Sequence, residues 1–466
     1  MAPRFSQELF DLIIDEAASE GKEEWPYVQK YDECERYFGT DEDPRRALLK
    51  SFSLVCKSWY SRASKHLWWG VTIIAKRHPI ISNLRSVLTA KPELGLLVKH
   101  VALHAELPMT RIEDDMQTLS LLLAPTTSFM LLCHGRHWRS QTLKAESWNN
   151  DAPFIRAITP FCQSNTLTSL FYGGLFFPTK LLDNIPNLRN FTLHNSQKSD
   201  PTIANSPTFR LQRAHFCELS HDVYDTLILG APQAFSQLEE LIFKETVVSD
   251  ELVDEESSAR MLLLAKDTVQ KVYVGKSSPI TCASFLFCVY ACACVSYSTT
   301  DLQHVFSKGP VSFPSLTHLT FKLEALLFND DLWTQLQNHL GGNSSLCSNL
   351  QNLNLFVKYA MYGDFMKLKE PNHIAWTTMQ KILGPEKFPV LKEVSLGMSY
   401  TAWSKAEYCE SEDEDCDDDG AVAKEVEAEI AARCLPTWEG DHRELSFHFT
   451  SKYFDEDPQD YDSESD

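Results

Sequence analysis

Hydrophobic residues recur along the chain in one short pattern, apolar-x-x-apolar-x-apolar. It occurs at Val98/Val101/Leu103, Leu188/Phe191/Leu193, Leu211/Ala214/Phe216 and Leu238/Leu241/Phe243. It returns at Val269/Val272/Val274, Leu316/Leu319/Phe321, Leu350/Leu353/Leu355 and Leu391/Val394/Leu396, with weaker copies at Met130/Leu132 and Leu167/Leu170. The last two positions of each copy are two residues apart, the spacing of side chains on one face of a strand. The first position then sits in the turn that enters the strand. One such unit cannot bury its apolar face alone, so the units must stack. Short prefixes keep the register: Ile185-Pro186-Asn187, Phe313-Pro314-Ser315 and Phe388-Pro389-Val390 precede three of the copies. Each proline is expected to end a preceding helix.

The intervals are uneven, from 21 residues (Leu167 to Leu188) to 47 (Val269 to Leu316). Helical patterns fill several of them, at 82–90, 152–163, 221–229, 257–265, 331–340 and 376–383, and short strands are expected at 71–74 and 443–449. Strand-then-helix alternation predicts a stacked α/β solenoid. An ordinary α/β domain with parallel strands would carry similar apolar runs.

The first 74 residues read differently. Residues 5–18 form an amphipathic helix pattern, with Ser6 as a cap, Glu8 in the first turn, and Phe5 and Phe10 where a hydrophobic staple would sit. Leu48, Phe52, Val55, Cys56 and Trp59 lie at i, i+4, i+7, i+8 and i+11, one stripe of a helix that begins at Asp43-Pro44. A short third helix is expected to end at Leu67-Trp68-Trp69. Between the first two helices, residues 19–42 are polar and acidic, with Trp25, Tyr27, Tyr31, Tyr37 and Phe38 embedded.

At 466 residues the chain is long enough for two or three domains. Its net charge of −21 is concentrated at one end: from Ser404 onward, 22 Asp or Glu face 5 Lys or Arg. The blocks 407–419 and 455–466 are too charged to bury, and a largely disordered acidic tail is expected over 404–466. Ser411 and Ser463, each with an acidic residue at +3, fit acidophilic kinases, and the tail would also keep an apolar solenoid in solution. With no basic patch, nucleic acid and anionic membranes are poor partners. The opening MAPRFSQELF lacks a secretory pattern, so 13 scattered cysteines read as free thiols in a reducing compartment, cytoplasmic or nuclear.

Chemistry-bearing motifs are sparse. The sequence contains no GxxxxGK[ST], GxGxxG, GxSxG or HExxH. Cys133, His134 and His137 cluster without a second pair at metal spacing, and His100 and His104 fall at a strand entry. The stretch 279–300, PITCASFLFCVYACACVSYSTT, breaks the repeat theme. It is marginal as a membrane span, and Cys282, Cys288, Cys292 and Cys294 lack CxxC pairing. A buried helix, or retained non-coding sequence across 279–303, are the readings left open. No catalytic residue, cofactor or metal is assigned.

The run QELFDLIID followed by SFSLVCKSWYSRASKHLWW resembles an F-box domain, especially those of mushroom-forming fungi. The chain departs from that family at Phe5-Ser6, where Leu-Pro is usual, and in the insertion 19–42. The irregular repeats resemble the degenerate leucine-rich-repeat-like solenoids that follow many F-boxes. The resemblance implies an F-box over 1–74, a solenoid over 75–403 and an acidic tail over 404–466. It further implies a non-enzymatic, substrate-recognition subunit of a Skp–cullin–F-box ubiquitin ligase. Such a subunit would hold an unknown protein substrate on the strand-lined face and its loops, near a ubiquitin-charged enzyme. Contacts to the Skp adaptor would come from Leu9, Ile13, Ile14, Leu54, Val55, Trp59, Leu67 and Trp68, some of which must serve the helices' own core. Leu54, flanking the stripe through Val55 and Trp59, is the preferred outward contact. The alternatives are a non-catalytic interaction scaffold with the helices as a cap, and an enzyme hidden in an α/β fold.

Overall fold

A computed structural model describes residues 7–19, 44–74, 78–106, 113–123, 125–134, 153–174, 176–183, 185–196, 198–199, 208–217, 219–245, 255–276, 313–325, 348–361, 383–384, 388–403 and 444–454. The insertion 19–42 beyond Ser19, the Ser6 cap, the stretch 279–303, the helix expected at 331–340, most of that at 376–383, and the acidic blocks lie outside the described residues.

The chain is α/β. Its helices are α1 (Gln7–Ser19), α2 (Pro44–Ser53), α3 (Lys57–Leu67), α4 (His78–Ala90), α5 (Pro92–Gly95), α6 (Glu113–Leu122), α7 (Pro153–Cys162), α8 (His221–Gly230) and α9 (Glu255–Leu264). Its strands are β1 (Gly70–Ile74), β2 (His100–Glu106), β3 (Ser128–His134), β4 (Ser169–Gly173), β5 (Phe176–Phe177), β6 (Asn190–His194), β7 (Lys198–Ser199), β8 (Arg213–Cys217), β9 (Glu240–Glu245), β10 (Lys271–Lys276), β11 (His318–Ala325), β12 (Asn352–Met361), β13 (Glu393–Trp403) and β14 (Glu444–Phe454). Two compact units divide the chain: Met1–Gln212 with Glu218–Ala234, and Arg213–Cys217 with Phe235–Asp466. The division falls inside the stretch read above as one solenoid.

In the first unit the strands run β1-β2-β3-β4-β6, all parallel. In the second they run β8-β9-β10-β11-β12-β13-β14, also all parallel. Strands follow one another across each sheet in chain order, with β5 and β7 set apart as a two-stranded parallel pair, so each strand returns to the sheet through a crossover, and helices α4, α6, α7 and α9 lie in four of these.

The repeat pattern is the register. Val71, Val101, Phe129, Leu170 and Phe191 form one buried row across the first unit, and Ile73, Leu103, Leu131, Tyr172 and Leu193 form the next. In the second unit Ala214, Leu241, Val272, Leu319, Leu353 and Val394 form a corresponding buried row. The weak copy at Met130/Leu132 is therefore a misreading by one residue. The aligned copy is Thr126/Phe129/Leu131, in which the buried Thr126 hydroxyl is satisfied by the Leu123 carbonyl at 2.6 Å. Met130 and Leu132 lie on the opposite face, clustered with Ala102 and Phe171. Aromatic stacking fills the main core. Phe129 and Phe161 of α7 lie parallel at 4.9 Å, and Phe177 meets both Tyr172 and Phe191. In the second unit Phe216 meets Phe235 and Phe243.

Two backbone devices set the repeat. The first apolar residue of a copy closes a tight turn on the residue three before it, as in Leu188 to Ile185, Leu316 to Phe313 and Leu391 to Phe388. The prolines of the prefixes occupy the second position of these turns, a place their fixed φ suits, rather than the end of a helix. One carbonyl before each strand then accepts two N–H groups from the next repeat. Lys99 accepts from Thr127 and Ser128, Thr127 from Thr168 and Ser169, and Gln351 from Lys392 and Glu393. Side chains add a rung at the turns: Asn187 Nδ2 donates to the Asn165 carbonyl at 2.6 Å, and Asn349 Nδ2 to the Pro314 carbonyl at 2.5 Å.

Candidate functional site

Helices α1 to α3 pack around Ile14, Ala18, Leu49 and Ala63, with Phe52, Trp59 and Leu67 partly buried against them. Trp59 is the aromatic centre, 5.0 Å from Phe10 and 5.3 Å edge-on from Phe52. Polar ties close the bundle. Arg62 Nε donates to Asp15 Oδ1 at 2.7 Å, its second guanidinium nitrogen pairs with Asp15 Oδ2, and His66 Nε2 lies 2.8 Å from Oδ1. Arg62 and His66 are one turn apart on α3, so one carboxylate on α1 engages both. Arg62, with a smaller contribution from His66, holds the Asp15 carboxyl down to about 2, against opposing burial.

The single stripe expected from Leu48 to Trp59 is two helices. Leu54 N–H and Val55 N–H donate to the Ser51 and Phe52 carbonyls at 3.1 and 3.2 Å, a three-residue pattern that tightens and ends α2. Ser51 and Ser53 hydroxyls donate to the Ala47 and Lys50 carbonyls, the local side-chain bonding that competes with helix continuation. Cys56 is extended, at φ −162°, before α3 begins. The inward residue of α2 is accordingly Leu49, and Leu48 is exposed.

The break leaves Leu54 86 % exposed and Val55 60 % exposed. On α1, Leu9, Leu12 and Ile13 are 39 %, 64 % and 45 % exposed and share one face by helical spacing. Among the described residues thirteen large hydrophobic side chains are exposed, and seven of them (these five, Leu48 and Tyr60) lie on α1 to α3 or in the turn between α2 and α3. That concentration within one short helical bundle marks it as the candidate site, since singly scattered exposed hydrophobics are ordinary. Of the expected contacts, Leu9, Ile13, Leu54 and Val55 are outward. Ile14 is fully buried and belongs to the helices' core, because it follows Phe10 by one turn on the inner face. Trp59, Leu67 and Trp68 are half-buried. Leu12 and Leu48 were missed; Leu12's place three residues after Leu9 was the available signal.

The second face of each sheet offers a different surface. In the first unit it is apolar and buried at Ala102, Met130, Leu132 and Phe171, and the His100 ring there lies tilted against Trp69, with ring centroids 3.9 Å apart. Burial brings the His100 imidazole down to about 4. In the second unit it is polar and partly exposed. Arg213 pairs with Glu240 at 3.4 Å, Asn352 Nδ2 donates to Glu393 Oε2 at 2.6 Å, and Asn354 Nδ2 to Thr320 Oγ1 at 3.2 Å. Partial burial and neighbouring Lys271 depress the His318 imidazole.

Among the described residues no three His, Cys, Asp or Glu side chains gather as a metal site, and no helix is long and apolar enough to cross a membrane. Neither a protein-family model nor a curated protein sequence matches the chain.

Proposed function

We propose that the chain is the substrate-recognition subunit of a Skp–cullin–F-box ubiquitin ligase, with an F-box at α1 to α3 and a leucine-rich-repeat-like solenoid after it. The observation that carries this reading is the concentration of exposed Leu9, Leu12, Ile13, Leu54 and Val55 in a three-helix bundle whose own core is already filled by Ile14, Leu49 and Trp59. Apolar side chains left outside a complete core are suited to a partner's apolar groove. The sequence LVCKSW, which supplies the exposed turn and Trp59, is the part that most resembles an F-box.

In this role the chain does no chemistry. It acts inside the cell by tethering: a substrate held on the strand-lined surface is kept at high local concentration beside a ubiquitin-charged enzyme brought in through adaptor and cullin. The partly exposed polar side chains of β8 to β13 supply hydrogen-bonding groups for a protein substrate.

The test is co-purification of the full chain with a fungal Skp adaptor. Stoichiometric capture supports the reading. A folded chain that fails to bind refutes it and leaves a non-catalytic interaction scaffold capped by three helices.

A further inference from the structure

The second face of the second unit carries one row of register partners across six strands: Arg213 of β8, Glu240 of β9, Lys271 of β10, His318 of β11, Asn352 of β12 and Glu393 of β13. The row divides by charge. Arg213 and Glu240 neutralise each other at 3.4 Å. Lys271 comes next; it is exposed, and among the described residues no carboxylate pairs with it. At the far end Glu393 accepts from the neutral Asn352 amide at 2.6 Å, and among the described residues no cation pairs with it. Lys392, its neighbour in sequence, donates to Gln351 Oε1 instead.

Between these two charges the row is uncharged. Burial, and then the charge of Lys271, lower the His318 imidazole below its ordinary value, against the opposite effect of Glu393. The ring is therefore neutral at pH 7, and both ends of the row act on it. The Thr317 hydroxyl lies 2.8 Å from His318 Nδ1 and orients the ring. His318, Asn352 and Glu393 are half-buried, so the row stays open to the side chains of a ligand.

The spacing of the two charges sets the ligand. Lys271 and Glu393 are three strand spacings apart, about 14 Å. An extended chain advances about 3.3 Å per residue, so residues four apart span about 13 Å, and their side chains point the same way because the period is two. The residue midway between them meets His318 and Asn352, which offer hydrogen bonds and no charge. We infer that this face binds an extended segment of a partner protein that crosses the strands, with an acidic side chain over Lys271, a basic one four residues away over Glu393, and a neutral polar residue between them. The inference rests on the reading of the strand-lined surface as the substrate side, and it names the class of segment that surface selects.

The experiment uses the full chain and a fluorescent peptide, Lys-Thr-Ser-Thr-Glu-Thr-Ser-Thr-Lys, read by anisotropy. It carries opposite charges four residues apart in both chain directions. A second peptide of identical composition, Lys-Thr-Ser-Glu-Thr-Ser-Lys-Thr-Thr, sets them three apart and so on opposite faces of an extended chain. We expect saturable binding of the first and about tenfold weaker binding of the second. Lys271→Glu and Glu393→Lys should each weaken the first by about tenfold, because an attraction becomes a repulsion. The double variant exchanges the two charges and should recover to within about threefold of wild type, with the peptide running in reverse; damage to the fold by either change would not recover. Equal binding of the two peptides, binding unmoved by the single variants, or no recovery in a folded double variant overturns the inference. So does sedimentation in which the wild type is dimeric and Lys271→Glu monomeric, which assigns the row to a second copy of the chain. Adaptor capture is measured on the same preparation. Capture without peptide binding overturns this inference and spares the proposed function; peptide binding without capture supports this inference and refutes the ligase reading.

Discussion

Replacing Leu54 by aspartate separates the proposed partner surface of the helical bundle from its core. Leu54 is 86 % exposed and sits in the turn between α2 and α3, outside the packing around Ile14 and Trp59. A surface change of this kind alters folding stability by about 0.5 kcal/mol or less. In a complex the same side chain would be covered. Burying a leucine contributes about 2 kcal/mol. A carboxylate forced into that apolar contact adds a desolvation penalty of about 2 kcal/mol or more. Together these predict a loss of about a thousandfold in adaptor affinity, since each 1.4 kcal/mol is roughly tenfold. Ile14→Asp is the counterpart: with no exposed surface and a filled core around it, it should unfold the bundle. The assay is calorimetric titration of the full-length variants with the Skp adaptor, beside thermal unfolding followed by circular dichroism. Leu54→Asp binding within a few-fold of wild type would refute the assignment of Leu54. A large drop in its melting temperature would refute its placement outside the core.

The Asp15 carboxyl is held low in the folded chain, so it stabilises the bundle above its unfolded value near 4, and that contribution is lost as pH falls from about 4 through about 2. Because both partners are about one-third exposed, Asp15→Asn should cost only about 1 kcal/mol at neutral pH and flatten acid unfolding in that window, read by tryptophan fluorescence. Gly95→Ala would drive a methyl group into the backbone carbonyl of Leu122, which no side-chain rotation can relieve, and should lower stability by about 2 kcal/mol or more in denaturant titration. Phe161→Ala removes the ring stacked on Phe129 and should destabilise by about 3–5 kcal/mol in the same measurement. Alkylation of the native protein followed by mass spectrometry should label Cys56 well before Cys133 and Cys162: Cys56 is exposed, and the Ser58 hydroxyl lowers its thiol, whereas burial pushes the Cys162 and Cys133 thiols far up.

The strand rows were legible because a single physical rule, alternation about a buried face, repeats in every copy. Leu167, Leu188 and Leu238 fell where the turns are, and the helices α7, α8 and α9 matched their apolar runs to within two residues. The rule failed at β3 for a definable reason. Thr126 occupies the first position with a satisfied hydroxyl, so the apolar signature slid by one residue onto a second face that is itself buried. The stripe from Leu48 to Trp59 failed because helical spacing carries no information about a break. The deciding groups were Ser51 and Ser53, whose hydroxyls bond to nearby carbonyls. The ion cluster of Asp15, Arg62 and His66 joins residues 47 and 51 positions apart, and no local pattern announces it.

The doubly accepting carbonyl at each strand entry bears on how such a chain can change over time. Alignment of a new strand is fixed where it begins, by Lys99, Thr127, Gln270 or Gln351, before any of the following crossover is traversed. The length of that crossover then matters little, since lengthening a loop carries only a logarithmic penalty. Strands separated by 21 residues and by 47 keep the same register rows. Insertions between strands are therefore close to neutral for the sheet, and the segments that connect them are free to diversify while the framework stays fixed.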